Sequence, residues 1–466
     1  MTTLSSPRRV RRGWRIAIVI LIVIAAAICA AAALVQHYRP QQLPEPVAQL
    51  GETLFGINPH PVKLVRPPVA PLSAVALIGR QIFYDVSLSA SGKQSCASCH
   101  SPQSAYAPPN TQPVQLGGPD MTLEGSRAVP SLTYLYRQAV FSIGPEAEEN
   151  DAPPSLDQLA ASALKTPRQQ KAANVKAAAP AMVPQGGFFW DGRASTLQDQ
   201  ALGPLTNPAE MANTDNAEVV RKLVKAGYGE SLQKVFGQSV TKDPTLFVSE
   251  AMFAVGRYQF EDPSFHEFSS KYDHWLEGRA RLTSAERRGM QLFNDKDKGN
   301  CAACHLSQPS PDGQPPLFTD TQYEALGVPR NRELSANRAP TFYDMGICGP
   351  FRADMATQTQ YCGMFLTPTL RNVAKRKAFF HNGVYHDLKQ VLDFYNFRAT
   401  QPEKIYPRDA DGHIQQYDDL PARYHANVDV FDAPFDRKPG DKPALSDAEI
   451  GDIIAFLKTL DDGSSP

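Results

Sequence analysis

The pentapeptide C-x-x-C-H occurs twice in this chain, at Cys96-Ala-Ser-Cys99-His100 and at Cys301-Ala-Ala-Cys304-His305. At the chain's own Cys and His frequencies, one chance copy is expected only ~0.002 times in the whole sequence. The pattern is that of covalent c-type haem attachment. The two thiols bond to the porphyrin and the adjacent imidazole becomes an axial ligand of the iron. A zinc knuckle or a thioredoxin-like redox pair is the competing interpretation. A zinc site needs a second ligand pair nearby, and neither copy has one. The chain must therefore fold around two covalently bound haems c, through Cys96, Cys99 and His100 and through Cys301, Cys304 and His305.

Such chemistry belongs on the exported side of a membrane, and the N-terminus agrees. Arg8, Arg9, Arg11, Arg12 and Arg15 precede twenty residues without a charge, Ile16 to Val35. That length suits a transmembrane helix, with the arginines left in the cytoplasm and everything after Val35 outside. A cleaved signal peptide is the alternative, since Ala30–Ala33 offers small residues for cleavage. Both interpretations export the protein. Without the five arginines the chain holds 42 basic against 48 acidic residues, a net of −6, and nothing points to nucleic acid. Four of the seven cysteines hold haem and Cys29 lies in the apolar stretch. The remaining pair, Cys348 and Cys362, should form a disulfide in an exported protein, two buried thiols being the alternative.

Seven of the 40 prolines fall in residues 36–70, which predicts an extended linker. An internal duplication follows. Gly79-Arg80-Gln81-Ile82-Phe83 precedes the first haem motif and Gly289-Met290-Gln291-Leu292-Phe293 the second. Each reads as the first helix of a cytochrome c unit. Thr283 or Ser284 caps the second of these, with Glu286 in its first turn. Closing helices are expected at Val248–Phe260 and Ser446–Leu460, the latter with a Ser446/Glu449 capping box. The stretch Phe141–Pro180 reads as an insertion with a short helix near Ser155–Leu164. The fold class is mainly α: two cytochrome c-type haem domains with long loops, over residues 71–262 and 263–466, preceded by a basic segment (1–15) and a transmembrane helix (16–35).

Further motifs lie between and after the haem sites. They are F-W-D-G-R at Phe189–Arg193, T-L-Q-D-Q at Thr196–Gln200, N-P-A-E-M at Asn207–Met211, T-P-T-L-R-N-V at Thr367–Val373 and F-F-H-N-G at Phe379–Gly383. In this order the chain resembles the bacterial di-haem cytochrome c peroxidase/MauG family over roughly residues 71–462. The resemblance implies a peroxidase acting through high-valent haem iron, with the first haem as the peroxide site. It implies Glu210 as the group that moves a proton between the peroxide oxygens, Gln200 as the pocket glutamine and Trp190 as the residue between the haems. Read alone, Glu210 is a helix-start carboxylate and Trp190 a core residue.

Departures from the family pattern sharpen the expectation. Classical members carry a distal His after the first motif, but no histidine occurs between His100 and Trp190. The first iron should have an open distal side unless Met121 or Met182 intrudes. Tyr395, on a predicted helix Asp387–Asn396, stands where the family places the second haem's sixth ligand, with Met364, Met345 and Met355 as alternatives. A phenolate donor lowers the haem potential and suits storage of an oxidising equivalent. The family's inter-haem calcium uses an Asn that is Ala128 here and a backbone stretch that is Arg376-Lys377-Ala378. This counts against calcium, and Arg376 could assume part of its charge role. The radical-carrying Trp of MauG falls in Lys298-Gly299-Asn300 and is absent. The expectation is a membrane-anchored, periplasm-facing peroxidase that reduces hydrogen peroxide with electrons from a small cytochrome or other redox protein. A MauG-like oxidase of a protein aromatic residue and a plain electron carrier are the rivals.

Overall fold

The computed structural model describes residues 45–145 and 182–465. The basic segment 1–15, the apolar stretch 16–35 with Cys29, and the helix expected at Ser155–Leu164 lie outside these residues. Among the described residues no helix is long and apolar enough to cross a membrane.

The Pro-rich stretch departs from expectation. Glu45–Phe55 forms a helix, α1. Pro46 sits in its first turn, where a missing N–H leaves no carbonyl unpaired. The chain after α1 is docked rather than free. The Gly56 carbonyl accepts from Trp275 Nε1 at 3.1 Å and from the Leu282 amide at 2.9 Å. Leu64 is buried, and Arg66 forks onto Glu277 at 2.6 and 3.0 Å. A composition rich in proline predicted an extended conformation but could not show that Leu64 would be buried.

Each haem motif follows a helix of the same plan. Helix α2 (Ala74–Tyr84) is capped by the Ser73 side chain and buries Ile78, Ile82 and Phe83. The first motif follows on a short helical turn, Cys96–Cys99. Helices α3 (Leu197–Thr206), α4 (Asn216–Lys225), α5 (Tyr228–Phe236) and α6 (Pro244–Glu261) complete this half. They enclose a core that includes Phe83, Leu223, Leu232, Phe247, Val255 and Phe265. In the other half, α7 (Lys271–Leu276) leads to α8 (Ser284–Asn294), which has the Thr283/Glu286 capping box. Helices α9 (Leu388–Phe397) and α10 (Asp447–Lys458) follow, α10 with the Ser446/Glu449 box. Leu64, Tyr272, Phe293, Phe318, Ile453 and Phe456 belong to the second core.

Glycine makes both helix crossings tight. A Cβ on Gly79 would lie 1.8 Å from the Ala254 carbonyl of α6, and one on Gly289 would lie 1.9 Å from the Asp452 carbonyl of α10. The α2/α6 and α8/α10 pairs are thus the same device used twice. Among the described residues, three two-stranded antiparallel ribbons trim the loops. Ser142–Pro145 pairs with Met182–Gln185, so the chain leaves at 145 and returns at 182 on neighbouring strands. Cys348 and Cys362 form the expected disulfide.

Candidate haem cavities and the wall between them

Each C-x-x-C-H turn opens onto its own cavity. In the first, Cys96, Cys99 and His100 share the lining with Gln200, Asn207, Glu210, Met211, Arg193 and Trp190. In the second, Cys301, Cys304 and His305 share it with Tyr395, Leu388, Val391, Leu392, Arg376 and again Trp190. The sequence-predicted residues therefore gather into two groups, with Trp190 facing both.

The histidines are prepared as ligands. His100 Nδ1 lies 3.1 Å from the Tyr106 carbonyl and His305 Nδ1 lies 2.9 Å from that of Phe318. Each ring then donates through Nδ1 and leaves Nε2 free for a metal. Burial lowers both imidazoles to about 4, which keeps them neutral as ligation requires. None of the four motif thiols is in a disulfide.

Glu210 is held on the N-P-A-E-M turn. Its Oε1 accepts from Asn207 Nδ2 at 2.6 Å. Burial pushes its carboxyl above the ordinary range, against the charge of Arg193 and the Asn207 hydrogen bond. Arg193 is partly engaged elsewhere, ion-paired with Asp191 at 2.9 Å and lying 3.7 Å from the Phe189 ring centre. Among the described residues His100 is the sole histidine of this lining, and neither Met121 nor Met182 is part of it, although Met211 is. In the second cavity, Tyr395 stacks on Phe435 with ring centres 5.4 Å apart. Its phenol, which makes no hydrogen bond among the described residues, is pushed up by burial. Met345, Met355 and Met364 lie outside the second lining. Gly299 does line it, and a Cβ there would meet the Leu292 carbonyl at 2.7 Å, so a larger side chain at this position requires the backbone to shift.

A wall of buried charge separates the cavities. Arg127, on the first lining, forks onto Asp344, on the second, at 2.6 and 2.7 Å, and also reaches Asp191 at 2.8 Å. Trp190 Nε1 donates to the Ala128 carbonyl at 2.7 Å, and the Ala128 amide donates to the His381 carbonyl at 2.8 Å. Arg376 is buried and forms no ion pair among the described residues; burial lowers its guanidinium to about 10. It lines the second cavity and its Nη2 lies 3.5 Å from the carbonyl of Val129, which lines the first, so a cation stands between the two sites. Sequence reading missed Arg127, Asp344 and Asn207. Only Asn207 had a local signal, its spacing three residues before Glu210.

Comparison with known proteins agrees with this geometry. A family profile described as di-haem cytochrome c peroxidase matches residues 73–281. The methylamine utilization protein MauG of Paracoccus denitrificans is 32% identical over 343 residues, covering 72% of this chain and 78% of that protein. The chain belongs to the di-haem cytochrome c peroxidase/MauG family. The cytochrome c551 peroxidase of Nitrosomonas europaea is 29% identical over 337 residues, covering 72% of this chain and 75% of its own. Among solved structures, the diheme peroxidase BthA of Burkholderia thailandensis matches with a TM-score of 0.71 at 36% identity, over 86% of this chain and 89% of that one. As a member of this family the protein carries two covalently bound haems c. The residues present fit them: two apolar cavities, each with a thiol pair and a histidine whose Nε2 is free.

Proposed function

We propose that the protein is a peroxidase that reduces hydrogen peroxide to water, with the first cavity as the peroxide site. The observation that carries this reading is Glu210, a half-buried carboxyl on the lining of a cavity whose one histidine, among the described residues, is the motif's own. The haems supply the electron storage that the side chains lack. Reduction of one peroxide takes two electrons and two protons and gives two waters. Glu210 removes the proton from the near oxygen and returns it to the departing one, so the O–O bond breaks unevenly. Asn207 holds the carboxylate in one orientation, and Gln200 positions the peroxide or a water. Trp190 couples the two cavities. His305 and Tyr395 hold the second haem, and Arg376 stands in for the inter-haem calcium.

The electron donor is a small cytochrome or another redox protein that docks near the second haem. The N-terminal segment anchors the chain in the bacterial inner membrane, with the catalytic part in the periplasm. The relation to MauG keeps oxidation of a protein aromatic residue as a second reading, which the tight space at Gly299 disfavours. Stopped-flow mixing of the oxidised protein with hydrogen peroxide tests the proposal through the haem absorption. Glu210→Gln should keep both haems and slow the reaction about 10²–10⁴-fold, as loss of general acid–base help does. An unchanged rate would remove Glu210 from the mechanism.

A further inference from the structure

The proximal side of the first haem cavity carries three phenols that packing does not require. Tyr106 provides the carbonyl that accepts from His100, and its ring stacks on Phe265 with centres 3.8 Å apart. Phe83, on the cavity lining, has its ring centre 6.1 Å from Tyr106, 5.5 Å from Tyr258 and 5.3 Å from Tyr84. The Tyr84 and Tyr258 hydroxyls lie 3.4 Å apart, and Tyr258 and Tyr106 pack against the same two rings, Phe83 and Phe265, with Phe265 5.2 Å from Tyr258 and 3.8 Å from Tyr106 between ring centres. Tyr106 and Tyr258 are each 2% exposed, whereas Tyr84 is 44% exposed. The three therefore lead from the axial histidine to solvent.

The duplicated half provides an internal control. There the carbonyl on His305 comes from Phe318, whose ring centre lies 6.1 Å from Phe293, as Tyr106 lies from Phe83. Phe456 of α10 lies 5.3 Å from Phe293 at an interplanar angle of 65°, and Tyr258 of α6 lies 5.5 Å from Phe83 at the same angle. Asn294 follows Phe293, where Tyr84 follows Phe83. At these three places the second motif has Phe318, Phe456 and Asn294 where the first has tyrosines. The phenol of this second cluster, Tyr272, packs on Phe318 and Phe456 as Phe265 packs on Tyr106 and Tyr258, and it donates to the Ser307 carbonyl. A buried hydroxyl costs free energy unless it is hydrogen-bonded. Here Tyr106 is bonded to Ser264 at 2.6 Å and Tyr258 to Tyr84 at 3.4 Å, so the bonds that offset burial also tie the phenols to proton-accepting neighbours.

We propose that Tyr106, Tyr258 and Tyr84 form a relay that carries oxidising equivalents from the first haem cavity to the protein surface. The relay rests on the peroxide reading, which supplies the oxidant. When no electron arrives from the donor, Tyr106 gives one electron to the oxidised site. Its phenol proton passes to Ser264 Oγ, 2.6 Å away, as Ser264 passes its own to Asp262, a further 2.6 Å on. Tyr258 then restores Tyr106 by giving up an electron and a proton, and Tyr84 restores Tyr258 across the 3.4 Å contact. One neutral radical remains on exposed Tyr84, and a small one-electron reductant with a solvent proton resets it. The relay would spare the haem when peroxide is in excess.

The test mixes the haem-loaded protein with hydrogen peroxide, without reductant, in the presence of the spin trap 2-methyl-2-nitrosopropane. Peptide mass spectrometry then locates the adduct while absorption follows the haem. Wild-type protein should carry the adduct on Tyr84. Tyr258→Phe should lose it while its haem still reacts with peroxide at the wild-type rate. Tyr106→Phe, a break further upstream, should lose it too and guards against a folding defect in the first variant. An undiminished Tyr84 adduct in both variants would overturn the relay, as would a haem that reacts while Tyr84 stays unmodified. A haem absorption unchanged by peroxide would instead remove the peroxide reading, and the relay would fall with its source of oxidant.

Discussion

At Glu210 three influences compete, and burial outweighs both the nearby Arg193 charge and the Asn207 hydrogen bond. The carboxyl therefore stays protonated to a higher pH than an exposed glutamate. In the proposed role of base it must first lose that proton. The peroxide reaction should then slow on the acid side of a limb lying above the usual carboxylate range, and Glu210→Gln should abolish the limb; stopped-flow rates against pH test this. The linkage has a definite sign. A folded pKa raised above the unfolded one contributes stability that is complete below the unfolded value and lost as pH rises through the folded one. Tyr395 invites a second test. Tyr395→Phe keeps the stack on Phe435 but removes the oxygen that faces the second cavity. If that oxygen ligates, the low-spin signature of the second haem should disappear from the low-temperature EPR spectrum, and its potential should rise as the anionic donor is lost. An unchanged spectrum and potential would return Tyr395 to a packing role.

At the scale of elements, the close crossings of α2 with α6 and of α8 with α10 decide where the haem turns point. Gly289→Ala would drive a methyl against the Asp452 carbonyl, and relief requires moving one helix off the other. Overpacking of this kind costs about 1–3 kcal/mol, so the thermal midpoint should fall. Gly451→Ala, also on α10, is the contrast. A Cβ there meets nothing within 4 Å, and removing an exposed helical glycine should stabilise by about 0.5–1 kcal/mol. Calorimetry on the pair separates close approach from helix propensity. These helices were legible because their signals are local: the Thr283/Glu286 and Ser446/Glu449 boxes and the one-faced pattern of Leu388, Val391, Leu392 and Tyr395. The placement of Glu210, Gln200 and Trp190 at the first cavity came from motif order. Docking of residues 56–66 was not legible, because its partners Trp275, Glu277 and Gly313 lie more than 200 residues away. Nothing in the local composition encodes such contacts.

For the molecule as a whole, the decisive part is the wall that joins the halves, and it too is assembled from distant segments. Arg127 and Asp344 are 217 residues apart, and Arg127 and Asp191 are 64 apart. The Arg127 side chain is 9% exposed, Asp344 is 7% and Asp191 is 0%, so these charges have little water to fall back on. Neighbouring Ala128 holds the Trp190 indole through its carbonyl and the His381 segment through its amide. Arg127 therefore fixes both the join and the orientation of the ring shared by the cavities. Arg127→Gln leaves the Asp344 carboxylate without its cation, and breaking a buried pair in this way costs about 3–5 kcal/mol. The thermal midpoint should fall accordingly. Electron transfer from the reduced second haem to the peroxide-oxidised first should slow as well, because the loop that positions Trp190 loosens. Trp190→Phe dissects the two effects. It leaves the Arg127 ion pairs in place and removes only the indole and its hydrogen bond, so its stability loss should be the smaller while its electron-transfer rate falls at least as far. Flow-flash kinetics and calorimetry on both variants measure this. Equal rates in Trp190→Phe and wild type would mean that the charge wall, rather than the ring, carries the coupling between the haems.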